Sequence, residues 1–175
     1  MRKTGPRGQA LIRRWEGLGD GDKAKPGFQP YRDPVGRLTI GYGHLIQPGS
    51  KIGPDTTLTL DEVEALFRAD LMEREMQVEW LTKGAALTQN QFDALVSFVF
   101  NMGAARFQTS TLRQLVLAGD HLEVPGELLK WCHARQSGKK VKLKGLLRRR
   151  LDEAALYLTP GSDDAEVPEK KADGD

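Results

Sequence analysis

The chain has 175 residues, of which 39% are hydrophobic and 29% charged, a composition typical of one soluble globular domain or one domain in two lobes. Its single cysteine, Cys132, excludes an internal disulfide and with it the disulfide framework of a small secreted protein. The net charge of +2 averages two unlike parts: residues 159–175 hold six acidic and two basic side chains, which leaves 24 basic and 18 acidic residues in the body. A cationic body suits a polyanionic partner, such as a cell wall, a membrane surface or a nucleic acid.

The first third of the sequence predicts one short helix followed by a small β-structure. Residues 8–17 place their apolar side chains at helical spacing, and a loop rich in glycine, proline and charge follows. Residues 33–36 carry a turn signal, and residues 37–44 alternate like a strand, so we expect a hairpin or small meander. No apolar run in the sequence has the length of a signal-peptide core or a membrane span.

The rest of the body predicts a helical bundle. Thr59 with Glu62 forms a capping box that opens a long helix to about Thr82, and Thr88 with Gln91 forms a second one. The helix behind the second box, through residue 100, is dense in apolar side chains and is predicted to be the buried central helix. Shorter helices are predicted at about 109–118, 121–133 and 145–158. Residues 159–175 have no apolar period and are predicted to be disordered.

Two carboxylic acids in contrasting settings suggest glycosidic hydrolysis. Glu16 ends an amphipathic helix beside a tryptophan, and Asp33 lies in a polar turn before a strand. A carboxylic acid partly removed from water has a raised pKa and can protonate a leaving oxygen, while a carboxylate in a polar turn stays ionised. Thr39, on the strand, could hold an attacking water through its hydroxyl. Acidic pairs are more often surface charges, so the residue types alone also allow a purely structural reading.

The spacing around these residues carries more information than their types. In register after Glu16-Gly17 come Tyr31, Asp33, Gly36, Thr39, Ile40, Gly41, Gly43 and His44. Downstream follow LTLDEVEALFRAD, LTQNQFDALVSFVFNMG, Ser110-Thr111-Leu112, Trp131 and a Gly-Leu-Leu-Arg-Arg-Arg-x-x-Glu run ending at Glu153. Over roughly residues 8–158 this order of motifs resembles the phage lysozymes of the T4 and lambdoid type, glycoside hydrolase family 24.

The resemblance implies an α+β, lysozyme-like fold that is mainly helical. We expect a small N-terminal β-hairpin lobe and a larger C-terminal helical lobe joined by a long helix. The catalytic domain is expected over residues 1–158, followed by an acidic tail over residues 159–175. The implied activity is that of an endolysin, a muramidase that hydrolyses the β-1,4 bond between N-acetylmuramic acid and N-acetylglucosamine in bacterial peptidoglycan and so lyses the host cell. It implies no cofactor and no metal ion.

The resemblance also assigns roles by position. Glu16 is the general acid, Asp33 the second carboxylate and Thr39 the residue that positions water. The saccharide-binding positions are Leu45, Phe100, Asn101 and Thr111, although an aromatic residue on a central helix, such as Phe100, is often simply core. His44 is expected to be a structural hydrogen-bonding residue, and either Arg148 or Arg149 is expected beside Glu16.

Two segments depart from or add to this pattern. The loop between Glu16 and Tyr31 is longer than the family usually has and is expected to extend the edge of the active site, with a flexible lid as one hypothesis.

From Lys139 to Arg150 seven of twelve residues are basic, which indicates either a solvated helix face and loop or attraction to an anionic envelope. Stacking aromatic residues are not interleaved there, so nucleic-acid binding is not expected.

Two other functions stay open from the sequence. A cationic envelope-binding protein could kill by membrane disruption without catalysis, and a lytic transglycosylase could share the fold but give anhydro products. We expect a monomer that waits in the host cytoplasm, without a signal peptide or transmembrane anchor, until a holin-type pore releases it to the periplasm and cell wall. The choice between inverting and retaining chemistry is open; the resemblance favours inversion.

Overall fold

The computed structural model describes residues 1–33, 35–136 and 139–161 of the chain. Helices dominate these ranges, with a three-stranded sheet near the N-terminus and a two-stranded ribbon near the C-terminus. In chain order the elements are α1 (Pro6–Glu16), β1 (Tyr31–Arg32), β2 (Leu38–Ile40), β3 (His44–Leu45), α2 (Leu60–Leu81), α3 (Gln89–Met102), α4 (Ala104–Gln108), α5 (Thr111–Ala118), α6 (Val124–Leu129), β4 (His133–Gln136), β5 (Lys139–Lys142) and α7 (Lys144–Leu158). The prediction of a disordered acidic end falls mostly on residues 162–175, outside the described residues.

The N-terminal sheet is antiparallel in the order β1-β2-β3, with Thr39 opposite both Tyr31 and Leu45. The prediction of one continuous strand over residues 37–44 is wrong, because the chain turns between β2 and β3. Gly41 and Gly43 both have positive φ, 61° and 82°, a conformation that favours glycine. A Cβ at Gly41 would lie 2.4 Å from Val63 Cγ1, so α2 packs directly against the backbone of this turn.

The helical body is built around α3, whose buried residues are mostly apolar. Both predicted capping boxes are present: Thr59 caps α2 and Thr88 caps α3. Helix α3 packs against α1, α2 and α7, and it anchors the main hydrophobic core. A second, smaller cluster of Ile40, Leu58 and Val63 lies under the sheet. The two clusters correspond to the two lobes, and the 22-residue helix α2 contributes buried residues to both.

The C-terminal third differs from the predicted elements. Helix α4 was not predicted, and the predicted helix over 121–133 is only the six residues of α6. Of the basic run from Lys139 to Arg150, residues 139–142 form β5, which pairs with β4 in the register His133 with Lys142 and Ala134 with Val141, and residues 144–150 form the first half of α7, as the predicted helix over 145–158 has it. Hydrogen bonds between β4 and β5 stabilise this ribbon. The sequence of the two strands has no helical periodicity.

Cys132 is buried. Among the described residues, no helix is both long and apolar enough to cross a lipid bilayer.

Candidate active site

A groove of about 480 Å³ opens where the sheet meets α2 and the end of α3. Among the described residues it is lined by Glu16, Arg37, Gly43, His44, Leu45, Gln47, Asp70, Glu73, Arg74, Phe100 and Asn101. Five residues predicted from the sequence therefore share one groove: Glu16, His44, Leu45, Phe100 and Asn101. Phe100 also packs against the main core. The sequence left open whether this residue is part of the core or of the groove, and it contributes to both.

Glu16 is the last residue of α1, and its side chain is 19% exposed. One carboxylate oxygen, Oε1, accepts a hydrogen bond of 2.7 Å from Arg149 Nη1 on α7. The other oxygen, Oε2, faces Gly43, where an added Cβ would lie 3.6 Å away. Oε2 therefore lies beside the Gly43 backbone in the lining of the groove.

Behind Glu16 lies a buried group of charges on α7. Arg149 donates from Nε to Glu153 Oε1 at 3.2 Å and from Nη2 to the carbonyl of Ser97 at 3.2 Å. Glu153 is fully buried and also accepts from Ser97 Oγ at 2.8 Å and from Arg150 Nη2 at 3.1 Å. Arg150 in turn donates to Asn101 Oδ1 at 2.8 Å. The network therefore runs from Glu16 through α7 to Asn101 in the groove.

Asp33 lies in the turn between β1 and β2, and three donors hold its carboxylate. Oδ1 accepts from the backbone N–H groups of Val35, at 3.0 Å, and Arg37, at 2.9 Å. Oδ2 is paired with the Arg37 guanidinium, at 2.8 Å from Nε and 2.7 Å from Nη2. Partial desolvation alone would raise the pKa of Asp33, but these hydrogen bonds outweigh it and lower that pKa, which favours the ionised form.

Tyr31 lies within electrostatic range of both carboxylates. Burial raises the pKa of the Tyr31 phenol, and the negative charges of Glu16 and Asp33 add to the rise. Thr39, on β2 opposite Tyr31, is 4% exposed and donates its hydroxyl to the carbonyl of Arg37 at 3.1 Å. Neither Asp33 nor Thr39 belongs to the described lining of the groove; Arg37, which contacts both, does.

His44 and Asp70 form a half-buried pair in the wall of the groove. His44 Nδ1 lies 2.9 Å from Asp70 Oδ2, and each side chain is 25% exposed. The hydrogen bond to Asp70 raises the pKa of His44, and burial opposes the rise without cancelling it. The pair joins β3 to α2.

Two of the predicted site residues lie elsewhere. Thr111 begins α5 and is exposed, away from the described lining of the groove. Arg148 is also exposed, and Arg149 is the neighbour that contacts Glu16. Sequence reasoning gave no role to Arg37, Asp70 or Glu153. The i, i+4 spacing of Arg149 and Glu153 on a predicted helix was the available signal for that pair. Asp33 and Arg37 have the same spacing but flank a turn, where that spacing does not by itself predict a contact.

Comparison with solved structures defines the class of fold. The muramidase domain of SpmX from Asticaccaulis excentricus aligns with 91% of this chain and 100% of its own length, with a TM-score of 0.77 and 36% sequence identity. This likeness confirms the predicted α+β, lysozyme-like fold.

Comparison of sequences then gives the family. The profile of the phage lysozyme family matches residues 23–153. The endolysin of Acyrthosiphon pisum secondary endosymbiont phage 1 is 36% identical over 151 residues, which are 86% of this chain and 94% of that relative. The endolysin of Bacillus phage B103 is 40% identical over 150 residues, 85% of this chain, which spans 51% of that longer relative. The chain therefore belongs to the phage lysozyme family, and it is a glycoside hydrolase.

Proposed function

We propose that this protein is an endolysin that hydrolyses the β-1,4 bond between N-acetylmuramic acid and N-acetylglucosamine in bacterial peptidoglycan and thereby lyses the host cell. The observation that carries the proposal is the setting of Glu16, whose carboxylate lies in a polar groove with one oxygen held by Arg149 and the other beside Gly43. Such a group can reach a bond in a polymer lying along the groove. In the proposed reaction Glu16 protonates the leaving oxygen.

Asp33 is the second carboxylate of the proposed mechanism. Its lowered pKa keeps it ionised, so that it can stabilise positive charge on the sugar ring or activate water. Thr39, whose hydroxyl already orders the turn through Arg37, is proposed to position that water. Saccharide contacts are proposed for Leu45, Phe100 and Asn101 in the groove. Thr111 is retained only as a candidate for a more distant part of the polymer.

The test uses purified peptidoglycan and the variant Glu16→Gln. The matched control is Glu123→Gln, because Glu123 is an exposed carboxylate just before α6 and lies outside the described lining of the groove. Removing a general acid lowers a rate by about 100-fold to 10,000-fold, so Glu16→Gln is expected to lose hydrolysis while the control retains it. Both variants must melt like the wild-type chain. Full hydrolysis by a folded Glu16→Gln protein would falsify the acid role.

Product chemistry separates the remaining alternatives. Water addition gives reducing ends, whereas a lytic transglycosylase gives anhydro products of lower mass. The anomeric configuration of the first product, read by proton NMR, distinguishes inversion from retention. Killing of cells by Glu16→Gln without hydrolysis would favour the cationic, membrane-disrupting alternative.

Three further proposals concern the chain as a whole. Residues 1–158 are proposed as the catalytic domain of a monomer. Because Asn90 donates to the carbonyls of Thr159 and Pro160, the packed part of this domain extends at least to residue 160. The basic segment from Lys139 to Arg150, which includes the exposed Lys142 and Lys144, is proposed to attach to the anionic envelope. Binding to cell walls should then weaken as salt is raised. Release through a holin-type pore predicts lysis in cells only when such a pore is co-expressed.

A further inference from the structure

A buried acidic side chain on α7 lies one contact away from the proposed general acid. Glu153 is 0% exposed, and it shares Arg149 with Glu16: Arg149 Nε donates to Glu153 and Arg149 Nη1 donates to Glu16. Arg149 itself is 3% exposed, so water screens little of its charge. Removal of Glu153 would therefore change the electrostatic environment of Glu16.

We propose that Glu153 is a positioning residue that holds Arg149 beside Glu16 and offsets the positive charge that Arg149 presents there. The inference rests on the proposed role of Glu16 as the general acid. Arg149 alone would work against that role, because a nearby positive charge favours the ionised form of a carboxylic acid. A second arginine, Arg150, adds to the effect from the same helix. Glu153 is the buried negative charge that both arginines contact.

The contacts of Glu153 fit a carboxylate anion. Burial raises the pKa of Glu153, and the guanidinium groups of Arg150 and Arg149 and the Ser97 hydroxyl oppose that rise without cancelling it. The polar groups in contact with it are donors: Arg149 Nε, Arg150 Nη2 and Ser97 Oγ donate to Oε1. Arg150 Nε lies 3.0 Å from Oε2, although without the alignment of a hydrogen bond. With two guanidinium groups in contact, we take Glu153 as ionised.

The charges around Glu16 then give the sign of the effect. Arg149, Arg150 and Glu153 together present one net positive charge from α7; without Glu153 they present two. The other charged or titratable groups around the same groove are Tyr31, Asp33, Arg37 and His44 from the sheet region and Asp70, Glu73 and Arg74 from α2. None of these contacts Glu153 in the described residues, so a change at Glu153 alters the charge on the α7 side alone.

The experiment measures the pH dependence of peptidoglycan hydrolysis in four chains: wild type, Glu153→Gln, Arg150→Gln and the double variant. Because Glu16 must be protonated to act, the alkaline limb of activity reports the pH at which it loses its proton. We expect Glu153→Gln to move that limb down by about one pH unit, the low end of the effect of a neighbouring charge. At a fixed pH on the limb this is about a 10-fold loss of rate.

If Glu153→Gln alone does not fold, the same substitution can be tested in the Arg150→Gln variant. Removing one arginine and the glutamate together leaves the net buried charge as it is in the wild type, so the double variant is expected to fold. The alkaline limb of the double variant should lie at lower pH than that of Arg150→Gln, by the same interval that separates Glu153→Gln from wild type. It should therefore lie close to the wild-type limb. Glu75→Gln is the matched control, because Glu75 is a buried carboxylate on α2 that accepts from Thr4 N, outside this network. It should lower stability without moving the limb.

A direct titration of the Glu16 side chain by carbon-13 NMR, in the same four proteins, separates failure of this inference from failure of the proposed function. A shifted Glu16 titration upholds the role of Glu153 even if Glu16→Gln were to remain active. A limb and a titration that both stay in place in folded Glu153→Gln and in the double variant would overturn it, and would leave Glu153 as a structural residue only.

Discussion

The N-terminus of α1 is capped from another helix, and breaking that cap should cost measurable stability. Helix α1 begins after Gly5, which has no side chain to cap the free N–H groups. Asp93 of α3 supplies the missing acceptor: Oδ1 accepts from Gly5 N at 3.0 Å and Oδ2 accepts from Gly8 N at 3.2 Å. Asp93 is 1% exposed and also accepts from Gln89 Nε2 at 2.7 Å.

The expected loss in Asp93→Ala follows from these contacts. Loss of a helix N-cap costs about 1 kcal/mol. The buried Gly8 N–H, left without an acceptor, costs a further ~1–3 kcal/mol. A total of about 3 kcal/mol corresponds to a fall in Tm of roughly 6–12 °C for a domain of this size. Gly8 also allows this close approach, because a Cβ there would lie 2.7 Å from Asp93 Cγ.

Thermal and urea unfolding, followed by circular dichroism, measure this effect. Asp120→Ala serves as the control, since Asp120 is an exposed aspartate in the loop after α5 and its loss should change stability by less than about 0.5 kcal/mol. Asp93→Asn should fall between wild type and Asp93→Ala, because its amide offers one acceptor oxygen instead of two. If Asp93→Ala melted within a degree or two of wild type, the cap would not stabilise α1 and the reasoning would be wrong.

Two further predictions concern pH. In Arg37→Leu the carboxylate of Asp33 loses its guanidinium partner, so its pKa should rise and the acid limb of hydrolysis should move to higher pH; an unmoved limb would mean that Asp33 does not titrate in the reaction. The second variant is Asp70→Asn. Because the folded pKa of His44 is raised, the pair stabilises the fold below the unfolded pKa of His and loses that contribution as pH rises through the folded value. Asp70→Asn should therefore lower the free energy of unfolding by about 1 kcal/mol near pH 5.5 and by clearly less near pH 9, measured by urea unfolding; equal losses at both pH values would contradict it.

The helices that the sequence predicted well are those with signals close together in the chain. Thr59 and Thr88 each form a capping box within four residues, and the observed helices α2 and α3 begin directly after them. The split between α4 and α5 has a similar local marker, because Ser110 caps α5 by accepting from Arg113 N. The helix predicted at about 109–118 corresponds to α5, whereas the short α4 that begins after Gly103 was not predicted.

The missed features depend on contacts between distant residues. The β4–β5 ribbon pairs His133–Gln136 with the lysine-rich β5, and lysine is a residue type that is depleted in strands when judged alone. The turn at Gly41 and Gly43 interrupts a sequence that alternates as a strand would, and the close packing of Val63 explains why a glycine stands there. Likewise Glu16 and Arg149 lie 133 residues apart, so only the fold could show which arginine contacts the acid.

Helix α1 is fixed at both ends by partners on other helices, and this explains how one short helix can present the proposed general acid. Asp93 holds its first turn, and Arg149 holds the side chain of its last residue, Glu16. The two contacts differ in kind: Asp93 acts on the position of the helix, whereas Glu153 acts through Arg149 on the charge at its end. Asp93→Ala should therefore lower Tm and leave the alkaline limb of activity in place, while Glu153→Gln should move that limb. If Asp93→Ala moved the limb equally, the charge of α7 would not be the cause, because displacement of α1 would suffice to explain both results.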